Sequence, residues 1–120
     1  MSEPRPLDEA ANLVRQFNHE SRHLSDDWGF PGDSYRALGE LADLARKLEQ
    51  AVEQIVLPVK ATHQDGRLRV DGGGNPDEAW LRVDARRAEA VYAASKLAYA
   101  IDALHSATNP LGARLGEEES

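Results

Sequence analysis

The chain has no cysteine, which excludes disulfides and thiolate metal sites and suits a reducing compartment. Aromatic residues make up 6% of its 120 residues, and there is one methionine. Lysine is scarce: three lysines stand beside eleven arginines. No run of 18 apolar residues occurs, so nothing reads as a membrane span. The start, Met1-Ser2-Glu3-Pro4-Arg5-Pro6, has no apolar run behind it. A signal peptide is therefore not expected, and a cytoplasmic setting is. Clustered positive charge is also lacking. The net charge is −7, with basic residues scattered among acids, which disfavours a nucleic-acid surface.

What is present is helical periodicity. The length fits one domain, residues 1–120, with an ordered core over about 7–108 and a flexible tail over about 112–120. A first helix is expected from about Asp8 to Leu24, capped by Asp8, with Ala10, Leu13, Val14, Phe17, Ser21 and Leu24 as its apolar stripe. Gly, Pro and Asp then mark residues 25–32 as a loop. Its Trp28 and Phe30 are expected to plug the end of the core, with an exposed partner anchor as the alternative. A second helix starts at Asp33 or Ser34. Its Leu38, Leu41, Ala45, Leu48, Val52, Ile55 and Val59 follow a 3-4 spacing, a heptad seam for nearly antiparallel packing. Pro58 ends or kinks it near residue 57. Residues 63–75 read as a polar connection, with a short hairpin through Leu68 and Val70 as an alternative. A third helix opens with Asn75 as cap, Pro76 at the first helical position and Glu78 in a capping-box arrangement. It carries Trp80, Val83, Arg87, Ala90, Ala94, Leu97, Ile101 and Leu104 and stops around residues 105–108.

The expected architecture is all-α: a three-helix bundle on a long antiparallel hairpin, open to completion by dimerisation. Val59 then sits near Trp80, Val52 near Arg87, Ala45 near Ala94 and Leu38 near Ile101. Arg87, on the seam, should pair with Glu49 or Glu53. The first helix covers the Leu38, Leu41, Leu48, Leu97 and Ile101 end. It leaves Val52, Ile55, Val56, Val59, Trp80 and Val83 as the partner-binding patch, unless the 63–75 loop folds over them.

One motif carries chemistry. His19-Glu20-Ser21-Arg22-His23 matches H-E-x-x-H, in which two histidines one turn apart chelate zinc and the glutamate activates water. The pattern is that of the zincin peptidases. Here the pair falls on the polar side of the stripe, no third ligand follows, and Arg22 puts a charge between the ligands. Glu40 and Asp43 have the E-x-x-D spacing that all-helical nucleotide pyrophosphohydrolases use for magnesium, but no matching acidic pair lies on the third helix. His63 and His105 fall at helix ends, where they can meet the last carbonyls.

At residues 13–19 (LVRQFNH), 30–41 (FPGDSYRALGEL) and 48–54 (LEQAVEQ) the chain resembles a group of small actinobacterial helical proteins. Their pattern is V-R-x-x-N-H, then P-x-D-x-Y-x-x-L-G-x-L, then L-x-Q-x-x-x-Q. The resemblance covers about residues 11–57 and implies an actinobacterial source, with no activity attached. His19 fits that pattern, whereas Glu20 and His23 are particular to this chain. The sequence therefore points to a non-enzymatic interaction or regulatory module without cofactor or metal. Its expected partner is itself or another helical protein, not nucleic acid or membrane. The alternative is a zinc-dependent hydrolase built on His19, Glu20 and His23.

Overall fold

The structure, a computed structural model, describes residues 5–114. The tail beyond 114 and the first four residues lie outside that range. Among the described residues the fold is all-α: α1 Pro6–Glu20, α2 Pro31–Ile55, α3 Leu57–Gln64 and α4 Pro76–Thr108. Among the described residues no helix is long and apolar enough to cross a membrane.

The helix boundaries follow from local chemistry. A proline stands in the first turn of each helix, where its missing N–H costs nothing. The α1 start falls at Pro6, not at Asp8, with Arg5 as the capping position. At α2 the cap is Phe30, and Asp33 works from inside the first turn. Its Oδ2 accepts from the Gly29 and Phe30 N–H groups at 2.9 and 3.0 Å. Asn75 caps α4 as expected, its Oδ1 accepting from Asp77 and Glu78 N–H at 2.8 and 3.2 Å. Pro58 breaks the second helical run, and α2 and α3 meet at Val56.

Gly66, at φ +71°, closes α3. Gly66 N–H donates to the His63 carbonyl and Arg67 N–H to the Thr62 carbonyl, both at 3.0 Å. Those are the two bonds of a Schellman cap. The 67–75 stretch that follows has no strand or hairpin, and Leu68 and Val70 are half-buried.

The scaffold is the expected antiparallel hairpin of α2 and α4. Its register shows in Arg46–Asp102 at 2.9 Å and Arg87–Glu53 at 2.6 Å. It shows also in the Tyr35 ring stacked on His105 at 4.2 Å. Gly39 leaves the space that His105 fills, since a Cβ there would lie 3.2 Å from its Nε2.

The seam differs from the sequence expectation in phase. Ala42, Ala45 and Ala98 are the fully buried core, at 1%, 2% and 5% exposure. Leu41, Leu48, Ile55, Leu97 and Leu104 stand exposed on one flank of the hairpin. The reason is steric: alanine lets two helix backbones approach closely, and bulky leucines one position away are turned outward.

α1 also departs from expectation. None of its Cα atoms comes within 8 Å of α2, α3 or α4, whereas packed helix axes lie about 8–10 Å apart. The radius of gyration is 21.1 Å, against about 14 Å for a compact chain of this length.

Candidate interaction surface

Two apolar concavities lie on the leucine flank. The first is the open angle between α1 and α2, a cleft of about 520 Å³. Leu13, Val14 and Phe17 form one wall, and Ala37, Leu38, Leu41 and Leu44 the other. At its apex Trp28 sets its ring edge-to-face against Phe17, centroids 5.6 Å apart. The indole Nε1 donates to the Ser21 carbonyl at 3.1 Å. A tight turn in which Ser25 and Trp28 exchange backbone hydrogen bonds holds this corner. Gly29 is required there, because a Cβ would lie 2.7 Å from the Ser25 carbonyl oxygen. Trp28 is thus half-buried in the α1–α2 corner, whereas Phe30, expected as its fellow plug, is exposed.

The second is a shallow groove farther along the hairpin, lined by Val52, Ile55, Val56, Val83 and Ala90, with Arg82, Arg86 and Arg87 beside them. It takes in four of the six residues expected as a partner patch. The other two, Val59 and Trp80, do not line it. Trp80 stacks on His63 at 5.7 Å, and Val59 is half-buried in α3. Of the six, Ile55 alone is largely exposed, at 58%. α3 is the physical reason: the break at Val56 lets the chain pack about two more turns of helix against the start of α4.

Helix phase joins the two concavities into one strip. Ala37, Leu41, Leu44, Leu48 and Ile55 share a flank of α2, and Val83, Ala90, Leu97 and Leu104 share a flank of α4. The groove shows that both flanks face the same way. The heptad spacing puts Leu41, Leu48, Leu97 and Leu104 on the seam, and the structure turns them outward. Their signal was an excess: α2 carries more apolar positions than one heptad seam can bury.

Ion pairs border the hairpin seam. Arg87 donates from Nε to Asp84 at 3.0 Å and to Glu53 across the hairpin. Donation to Glu53, then to Asp84, raises its already high pKa. This is the pair expected with Glu49 or Glu53. Asp43 accepts from Lys47 at 2.6 Å, and that bond, then the lysine charge and Arg46, lower its pKa. The acid of the E-x-x-D spacing is therefore an ion-paired surface group.

The H-E-x-x-H residues are not brought to one helical face. α1 ends at Glu20, so His23 lies in the turn beyond it, and all three side chains are exposed. The His19 ring meets the Arg22 guanidinium at 3.2 Å. Among the described residues no group of three or more His, Cys, Asp or Glu is placed to hold a metal ion. His63 and His105, expected to meet helix-end carbonyls, instead stack on Trp80 and Tyr35 at opposite ends of the hairpin. The His63 Nε2 lies 2.8 Å from the Asp77 carboxylate.

No family model, curated protein or solved structure matches the chain.

Proposed function

We propose that the chain is a non-enzymatic helical interaction module that presents its apolar flank to another helical protein. The observation that carries this reading is the imbalance between buried and exposed apolar groups. Three alanines are fully buried, while Leu13, Phe17, Leu41, Leu48, Ile55, Leu97 and Leu104 are exposed.

The accessible surface is 9750 Å², against about 6,400 Å² for a compact monomer of 13.2 kDa. The residues outside 5–114 explain at most about 1,600 Å² of the difference. Roughly 1,700 Å² or more of total surface remains beyond that of a compact monomer, as expected when α1 stands away from the hairpin. The acidic balance supports a protein partner over nucleic acid.

Accessibility of the flank in dilute protein tests this reading. The chain lacks cysteine, so Ala90→Cys introduces one reporter thiol on the flank. At about 1 µM, where weak association is minor, it should react with a maleimide nearly as fast as a free thiol. The protein should also bind an apolar dye. A folded protein that is monomeric at this dilution, binds no dye and protects that thiol refutes the module.

A further inference from the structure

We infer that the occupant of this flank is a second copy of the chain, paired face to face over Leu48, Val52, Ile55, Val83, Ala90 and Leu97 into a four-helix arrangement. The inference deepens the interaction reading and rests on it. Its grounds are reach, width, area and chemistry.

Reach excludes the chain's own α1 as sufficient cover. Leu13, Val14 and Phe17 face Ala37 to Leu44, and α1 is tethered at the start of α2. Ile55 lies 18 residues beyond Ala37 on α2, about 27 Å along the axis. The α1 apolar stripe ends well short of Leu48 and Ile55. Those two, with Leu97, stay 38%, 58% and 49% exposed.

Width points to a hairpin as the complement. The flank is two helices wide, and two more helices turn it into an antiparallel four-helix bundle. Area agrees. A stable interface hides about 800 Å² per partner, and the molecule's surplus of total surface, shared between the α1 corner and this strip, is about twice that.

The chemistry of the strip suits a self-complementary contact. Its α2 side is Leu48, Val52 and Ile55, and its α4 side is Val83, Ala90 and Leu97. Arg87 also lines the groove, about one turn before Ala90, and its charge is met by Glu53 and Asp84 at 2.6 and 3.0 Å. Arg82 and Arg86 are at the side of the groove, and Arg86 is paired with Glu89 at 3.0 Å. Ala90 and Ala93 allow a neighbouring helix to come close. A two-fold axis crossing the hairpin near Val52 and Ala90 brings each copy in from the α3 end. Both α1 helices then stay outside the contact.

Sedimentation equilibrium of the intact chain over roughly 1–200 µM tests the pairing. The expected result is a dimer of twice 13.2 kDa. Leu48→Asp and Leu97→Asp should each weaken it by about 30-fold or more while helicity is retained. Tyr92→Asp, on the opposite flank, should leave it unchanged.

Thiol labelling keeps the test independent of those variants folding. The Ala90→Cys thiol should react more slowly as protein concentration rises, whereas a Tyr92→Cys thiol should not. A strict monomer across the range overturns the pairing, as does a dimer that protects Tyr92→Cys and not Ala90→Cys. A monomer with a reactive Ala90→Cys thiol removes self-pairing and leaves the interaction reading standing. A monomer with a protected one removes both.

Discussion

Ala42→Leu is the substitution that most directly tests where α2 and α4 touch. Ala42 is 1% exposed and sits between the helices beside Ala45 and Ala98. Leucine adds three carbons there. With room available, their burial would stabilise by about 0.8 kcal/mol each. Without room, overpacking costs about 1–3 kcal/mol, because α4 must move away or the side chain must leave its rotamer. The near-complete burial of Ala42 selects the second outcome. Intrinsic helix propensity does not confuse the result, since alanine and leucine are both strong helix formers.

For a domain of this size the loss corresponds to a Tm drop of about 5–20 °C. Far-UV circular dichroism during urea and thermal unfolding reads it. Protein concentration must be held fixed because association is linked to stability. Ala103→Leu, at an exposed position of α4, is the control and should stay within about 0.5 kcal/mol of the parent. A seam running through Leu41, Leu48 and Leu97 would make Ala42→Leu as mild as that control. An Ala42→Leu protein as stable as the parent refutes the close-packed alanine seam.

Three further outcomes follow from local chemistry. Asn75→Ala removes the acceptor of two N–H groups at the α4 start and should cost about 1 kcal/mol in denaturant unfolding. Gly66→Ala forces a side chain into φ +71° and should cost about 1–2 kcal/mol, with Gly66→Asn milder. Asp33 has its pKa lowered by hydrogen bonds from the Phe30 N–H first, then the Gly29 N–H, with Arg36 adding to them. A depressed folded pKa means a stabilising contribution present above the unfolded value of 3.8 and lost as pH falls through the folded value. Asp33→Asn should therefore reduce stability at neutral pH and flatten the fall below about pH 4. An unchanged acid limb in that variant would show that the cap carries no such linkage.

The sequence alone determined the helices and their punctuation. Pro58 cannot donate to the carbonyl four residues back, so the helical run had to break near Val56. Asn75 followed by Pro76 had to start a helix, since one supplies an acceptor and the other a preset φ. The antiparallel register followed from setting the end of one long helix against the start of the next where the chain turns back, and with it the reach of Arg87 to Glu53. These are effects of neighbours within a few residues, or of chain length, and both are written in the residue order.

Only the tertiary structure decided which apolar flank met which. The alanine seam at Ala42, Ala45 and Ala98 and the leucine strip beside it repeat with the same spacing. Periodicity therefore gives the spacing of a seam but not its phase, and side-chain bulk settles the phase when the backbones close on one another. The same holds for His23. Its spacing from His19 promises a shared helical face, but the turn that buries the Trp28 indole against Ser21 ends α1 first. It holds too for α1, whose stripe reads as core until the corner at Trp28 turns it away from the hairpin. That corner leaves the flank open, because a fifteen-residue helix on a short tether cannot reach the far half of a hairpin about twice its length.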